Sequence, residues 1–218
     1  WTEATWISGR QNALKAYRQL QQVPESEQNQ IGLLSKLQWH YAYRANDREA
    51  SLQIYEEMLV PLCRSLYPPE NLTRQKFEYE YTITTLLSLL ESSKDLKSTS
   101  ELIPGALIRA ESSLAILLEE FGSAHRNAWQ WMNNLAICHA GYADHAGLLE
   151  SKADEHRSRA ADLWDQVLWE TSTRQQNNLN DTEWYLQNYR HYLPKYAPSE
   201  EAWPAWLDSA RSVPSNRP

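Results

Sequence analysis

Glycine and cysteine are scarce in this sequence, and their scarcity narrows the possible folds. Only 6 glycines occur among 218 residues, too few for the many tight turns of a β-sandwich or barrel. Leucine, alanine, glutamate, glutamine, arginine and serine dominate instead, and most of these residues favour helix. The two cysteines, Cys63 and Cys138, lie among apolar residues. We therefore expect buried reduced thiols and no disulfide framework.

Clustered positive charge and long apolar runs are also missing. The chain carries 28 acidic against 21 basic side chains, a net charge of -7, and no block of five like charges, so a nucleic-acid partner is not expected. No apolar run approaches the roughly 18 residues that span a bilayer, and no signal-peptide pattern opens the chain. We expect a cytoplasmic protein without a membrane partner. Because the chain begins at Trp1 and not at methionine, we also expect a fragment of a longer protein or a trimmed product.

Apolar residues recur at three- and four-residue spacing along most of the chain, which is typical of amphipathic helices. Proline and glycine mark several helix ends, at Pro24, at Pro68-Pro69 and at Gly122. The pattern predicts an all-α fold with about nine helices, followed by a disordered tail at 214–218. The predicted helices span about 2–22, 28–45, 47–66, 73–92, 102–121, 125–147, 150–173, 181–193 and 199–212.

Only the segment at 73–92 is ambiguous in this pattern. Phe77, Tyr79, Tyr81 and Ile83 alternate with polar residues as they would in a strand. A lone strand would have no partner in this chain, and the spacing becomes helical after Ile83. The segment is therefore predicted to be a helix.

One phrase of the sequence has a specific counterpart in a known family. Phe121-Gly122-Ser123-Ala124-His125-Arg126-Asn127 leads into Met132-Asn133-Asn134-Leu135-Ala136, and Ala160-Ala161-Asp162-Leu163-Trp164 follows in the next predicted helix. This arrangement resembles the kinesin-light-chain type of tetratricopeptide repeat, in which Leu-Gly-x-x-His-Pro precedes Met-Asn-Asn-Leu-Ala. Leu37, Tyr41 and Ala50 fall at the family's consensus spacings as well. Arg126 stands where the family prefers proline, and His139 stands where tyrosine is usual.

The resemblance covers about residues 30–172 and implies antiparallel helical hairpins stacked as a right-handed solenoid. It implies a single tetratricopeptide-like domain over 1–213. The aromatic residues of the predicted helices within 181–212 are then expected to cap the last hairpin, since a terminal repeat must cover its apolar face. Ligand binding by these aromatic residues is the alternative.

Repeat scaffolds of this kind bind ligands in a concave groove lined by the first helix of each hairpin. In the resemblance Asn134 faces that groove, where an amide can bridge a peptide's main chain. Asn133 lies beside it and Gln130 one turn earlier, and Lys36 takes the corresponding place in the preceding repeat. The implied function is a scaffold that binds a protein or peptide partner through these four residues. The alternative is that they are solvated polar residues on a helix face.

Catalytic and metal-binding motifs are not found in the sequence. There is no glycine-rich phosphate loop and no nucleophile elbow. His139 and His145 are six residues apart, about 120 degrees off one helix face, so a metal site that also uses His156 is not expected. We predict neither an enzyme nor a cofactor. Two alternatives stay open, an all-α enzyme or small-molecule-binding protein with a central pocket, and a fragment that self-associates.

Overall fold

Most of the residues that the structure describes are helical. A computed structural model describes residues 11, 15, 17–19, 22, 26–43, 47–92, 102–144, 148–174, 179–203 and 205. These residues form eight α-helices and contain no strand: α1 Glu27–Tyr43, α2 Arg48–Ile54, α3 Val60–Leu66, α4 Leu72–Ser92, α5 Leu102–Phe121, α6 Arg126–Ala143, α7 Glu150–Arg174 and α8 Leu179–Tyr192.

The all-α prediction is confirmed, and the ambiguous segment at 73–92 is a helix. The helix count differs slightly from nine. The predicted helices at 2–22 and 199–212 fall largely outside the described residues, as does the predicted tail at 214–218. Within the part that the structure describes, no helix is both long and apolar enough to cross a membrane.

Local capping interactions explain where several helices begin and end. The Asp47 carboxylate accepts a hydrogen bond from the Ala50 backbone N–H at 3.0 Å and so caps α2. His125 Nδ1 accepts from the Asn127 N–H at 3.2 Å at the start of α6. Gly122 follows α5 with φ of 75°, a left-handed conformation that glycine adopts without steric cost. The positions of these helix ends are therefore set by residues at the ends themselves.

Residues 48–66 form one continuous helical rod with an internal irregularity. A π-helical turn at Tyr55–Leu59 joins α2 to α3, and Pro61 follows it in the first turn of α3. Proline lacks a backbone N–H and its ring clashes with the carbonyl four residues earlier. A widened turn just before Pro61 relieves that clash, which is a common origin of such bulges.

The chain divides into two compact units, Trp1–Ser88 and Leu89–Pro218, with the boundary inside α4. The single-domain prediction for 1–213 is not tested by this division. In the first unit α1 packs against the rod at 48–66, and the core consists of buried apolar side chains. They include Ile31, Leu34, Leu37, Tyr41, Ile54, Tyr55, Leu59, Val60, Cys63 and Phe77.

Both cysteines are buried and neither is in a disulfide, as predicted. Burial raises the pKa of the Cys63 thiol to about 11, because the thiolate would lose its hydration. A thiol in this state is a weak nucleophile.

In the second unit, contacts between side chains fix the directions of the helices. Along α5 and α6 the pairs Glu111 with His139 and Phe121 with Trp131 show antiparallel packing. Along α6 and α7 the pairs Asn133 with Trp164 and His139 with His156 again show antiparallel packing.

Helices α6 and α8 run parallel and in register. Arg126 pairs with Asp181 at 3.3 Å, and Asn133 contacts Asn188 at 3.2 Å. The partners in both pairs are 55 residues apart, so the two helices keep the same offset over two turns.

Small residues allow α6 and α7 to approach closely. Ala128, Ala136 and Ala140 of α6 are almost fully buried, as are Ala153 and Ala160 of α7. A larger side chain at these positions would hold the two helix axes apart. The close contact makes α6 the central helix of the second unit, since most of its residues are buried.

Two glycines of the second unit provide a matched test of this description. Gly122→Ala should lower the free energy of unfolding by about 1 kcal/mol, because alanine is strained at positive φ. Gly105→Ala, within α5, should raise it by about 0.5 to 1 kcal/mol, since its new Cβ would meet only Arg109 Nη1 at 3.7 Å. Urea unfolding followed by circular dichroism measures both changes, and changes of the same sign would contradict the assigned backbone conformations.

Candidate functional site

A buried group of polar side chains links α6, α7 and α8. Asn133 is 0% exposed, and its Oδ1 accepts hydrogen bonds from Trp164 Nε1 at 3.0 Å and from Asn188 Nδ2 at 3.2 Å. Its Nδ2 donates to Asn134 Oδ1 at 3.3 Å. We call these four residues the polar joint. Every polar atom of the Asn133 amide therefore has a partner inside the protein.

Chemistry fixes the orientation of every amide in the polar joint. An indole N–H can only donate, so the Asn133 oxygen must face Trp164. The amide nitrogen of Asn133 then faces Asn134 and needs an oxygen there, and Asn188 must donate through its own Nδ2. The other polar atoms of the two partly exposed amides are Asn134 Nδ2 and Asn188 Oδ1. One is a donor and the other an acceptor.

Aromatic packing holds Trp164 in place beneath this group. Its ring stacks on Tyr189 at 5.0 Å between centroids and on Tyr192 at 6.1 Å. Burial and the nearby carboxylate of Asp165 raise the pKa of Tyr189, so its hydroxyl stays neutral. Trp184 of α8 remains 48% exposed. The predicted capping role of the aromatic residues in 181–212 stays a prediction, and Trp206 lies outside the described residues.

A second set of contacts anchors the loop between α5 and α6. Ser123 Oγ donates to Glu170 Oε1 at 2.5 Å, and Trp129 Nε1 donates to the Ser123 carbonyl at 2.8 Å. Glu170 lies on α7 and is buried. The phrase Phe121 to Asn127 therefore has a structural role here, since it ties the start of α6 to the far end of α7.

The structure places three of the four predicted binding residues on one helix. Asn134 is half-buried on α6, Gln130 is exposed one turn earlier, and Asn133 lies beneath them in the interior. Lys36 is exposed on α1, in the first unit. Peptide binding by these residues stays a prediction. A fully buried side chain offers no surface to a ligand, so Asn133 can act only through its neighbours.

Asn188 belongs to the same site, although sequence reasoning missed it. Its contact with Asn133 depends on the parallel register of α6 and α8, which no local spacing encodes. Trp164 was recognised only as part of a repeat phrase. Trp164 lies in the predicted helix that follows the Asn133-Asn134 pair, and its indole N–H can only donate. That combination would have suggested that one of the asparagines is buried as its acceptor.

The structure brings His139 and His156 together. Their Nδ1 atoms lie 2.9 Å apart and their rings stack with centroids 5.2 Å apart. The metal site was judged unlikely from the spacing of His139 and His145 in the sequence, and His145 lies outside the described residues. Among the described residues, no three histidine, cysteine or acidic side chains are arranged to hold a metal ion.

A shallow cleft of about 400 Å³ lies where α6 ends and α7 begins. Arg157 contributes to its lining and pairs with Glu150 at 2.8 Å, with Asp154 at 2.9 Å and with Asp144 at 3.7 Å. These ion pairs hold Arg157 among three carboxylates. Tyr192, Lys195 and Tyr196 also line the cleft, which opens to solvent.

No protein-family model, no curated protein and no solved structure matches this chain at a significant level. The resemblance to tetratricopeptide repeats therefore depends on the residues themselves.

The polar joint predicts that two adjacent asparagines differ sharply in their effect on stability. Asn133→Ala removes the acceptor of the buried Trp164 N–H and of the partly exposed Asn188 amide, so we expect a loss of about 2 to 4 kcal/mol in the free energy of unfolding. Asn134→Ala removes one partly exposed contact and should cost less than about 1 kcal/mol. Urea unfolding of both variants tests this, and equal losses would show that the polar joint does not stabilise the fold.

Proposed function

We propose that this chain is a tetratricopeptide-like interaction scaffold, and that α6 and α8 line a groove that binds an extended peptide segment of a protein partner. The observation that carries the proposal is a pair of amide atoms on the two partly exposed asparagines of the polar joint. Asn134 Nδ2 is a donor and Asn188 Oδ1 is an acceptor, on two parallel helices that are in register.

The packing of the second unit supports the idea of stacked hairpins. In such a solenoid each first helix packs antiparallel to its own second helix and parallel to the next first helix. Helix α6 has this relationship to α7 and α8. On this reading α6 and α7 form one hairpin, and α8 is the first helix of the next.

A peptide main chain can bind to the donor of Asn134 and the acceptor of Asn188, because each peptide unit offers one C=O and one N–H. In the proposed complex Asn134 donates to a ligand carbonyl and Asn188 accepts from a ligand N–H. Gln130 precedes Asn134 by one turn, and Trp184 precedes Asn188 by one turn. Their exposed side chains would extend the contact with a further amide and with an aromatic anchor, a residue type that often dominates binding energy.

Lys36 would act separately, in the first unit. Its side chain is exposed on α1, and in the proposal it meets a carboxylate on a ligand of that unit. Asn133 serves as a positioning residue, since it fixes the orientation of the Asn134 amide from below. The chain would then be one module of a larger protein.

Peptides selected from a random displayed library on the purified chain provide the test. Asn134→Ala should weaken the selected peptides about tenfold, because one main-chain hydrogen bond contributes about 1 to 1.5 kcal/mol. Trp184→Ala should weaken them as well, whereas Ser158→Ala, at an exposed position on α7, should leave the affinity unchanged. Fluorescence anisotropy measures each affinity. Equal affinities across the three variants would rule out this groove.

Peptide chemistry provides a second arm of the same experiment. N-methylation of one peptide bond removes a single N–H donor, so a scan along the peptide should reveal one position where binding falls in the wild type and not in Asn188→Ala. If no peptide is selected and light scattering shows a dimer, self-association becomes the preferred function. A small molecule that copurifies with the chain would instead favour the pocket alternative.

A further inference from the structure

Two histidines from neighbouring helices share a hydrogen-bond contact inside the second unit. His139 of α6 is 2% exposed, and its Nδ1 lies 2.9 Å from Nδ1 of His156 on α7. The rings of Tyr142 and His156 pack in a T-shaped arrangement with centroids 4.9 Å apart. On the other side of His139, Nε2 lies 3.3 Å from Glu111 Oε1 of α5. Three helices therefore meet at this pair.

The surroundings determine where the hydrogens lie in the neutral pair. Two nitrogen atoms 2.9 Å apart hold one hydrogen between them, so one Nδ1 donates and the other accepts. His139 Nε2 lies near a Glu111 oxygen but without hydrogen-bond geometry. The negative charge of that carboxylate still favours an N–H at Nε2 and repels a bare lone pair. Neutral His139 then has no hydrogen on Nδ1, and His156 Nδ1 is the donor. The lone pair of His156 is left on Nε2.

This arrangement accepts one proton but not two. The first proton enters at His156 Nε2 and leaves the contact between the rings intact. A second proton must enter at His139 Nδ1, which already faces the N–H of His156. Two hydrogens then point at each other between two positive rings, and the contact must break.

We infer that the His139 and His156 pair is a proton-operated latch between α6 and α7, which stays closed with at most one proton and opens when both rings are protonated. The latch would make the packing of this hairpin sensitive to acid.

Charged groups from all three helices act on the pair. Burial has the largest effect and lowers the pKa of His139. The carboxylate of Glu111 raises that pKa, and the positive charges of His156 and Arg159 lower it further. Burial also lowers the pKa of His156. The carboxylates of Glu155 and Glu111 raise that pKa, and the charge of Lys152 lowers it. Burial raises the pKa of Tyr142, so this neighbour stays neutral.

The direction of the pH dependence follows from these lowered values. The folded protein binds fewer protons than the unfolded chain, whose histidines titrate near pH 6.5. The contribution of the pair to stability is therefore fully present above about pH 6.5 and is lost as the pH falls below it. Acid opens the latch and base closes it.

His156→Asn in the full chain separates the latch from simple burial. The asparagine amide occupies the place of Nδ1 but does not titrate, and it can turn its oxygen toward a hydrogen on His139. We expect the His139 titration midpoint, measured by NMR with labelled histidine, to rise by at least one pH unit in this variant. His191→Asn, at an exposed position on α8, should leave it unchanged. A midpoint that does not move in His156→Asn would overturn the proposal, because burial alone would then control His139.

Unfolding equilibria provide a second readout that does not depend on assigning the NMR signals. As the pH is lowered from 6.5 to 5, the unfolding equilibrium constant of the wild type should rise. For each pH unit this rise should exceed that of a His139→Asn, His156→Asn double variant by a factor of up to about ten. If the double variant does not fold, His156→Asn alone replaces it. Equal slopes in wild type and variant would contradict the latch.

Discussion

The buried indole N–H of Trp164 is the constraint on which the second unit depends most. It can only donate, and it lies where three helices meet, so some neighbour must supply an oxygen. The side-chain oxygen of Asn133 does so. That single requirement sets the orientation of Asn133, and through it the orientations of Asn134 and Asn188. The register of α6 against α7 and α8 is fixed by the same contacts.

In the proposed function, stability and recognition belong to different members of one hydrogen-bonded group. Asn133 is wholly interior and holds the helices together, whereas Asn134 and Asn188 reach the surface. In the proposed function the interior residue holds the surface amides in one orientation before a ligand arrives. Pre-organisation of this kind reduces the entropy lost on binding. The pair of His139 and His156 lies further along α6 and α7, and in our inference it makes the packing of these two helices depend on the pH.

Most helix positions could be predicted because their ends are set by local residues. The predicted segment at 102–121 matches α5 because Gly122 stops the helix, and the segment at 47–66 begins as predicted because Asp47 caps α2. Helix α6 was predicted to reach residue 147 but ends at Ala143. No proline or glycine marks that end, so periodicity alone placed it too late. The turn at Tyr55–Leu59 follows from Pro61, a cause that the spacing of apolar residues does not show.

Contacts between helices could be predicted far less well than the helices themselves. The sequence identified Asn133 and Asn134, but it did not reveal that one is buried and the other partly exposed. It did not indicate Asn188, and although His139 and His156 were considered together as possible metal ligands, their direct contact was not predicted. Both contacts depend on how helices far apart in sequence are aligned, and periodicity within one helix contains no information on that alignment.

A double-mutant cycle between Asn133 and Trp164 tests the central claim most directly. Asn133→Ala, Trp164→Phe and the double variant are compared with the wild type by urea unfolding. If the indole N–H and the amide oxygen act as one buried pair, the losses are not additive, and the cycle gives a coupling of about 1 to 2 kcal/mol. Losses that add to within about 0.5 kcal/mol would show that the two residues act independently, and the polar joint would then no longer explain the packing of α6, α7 and α8.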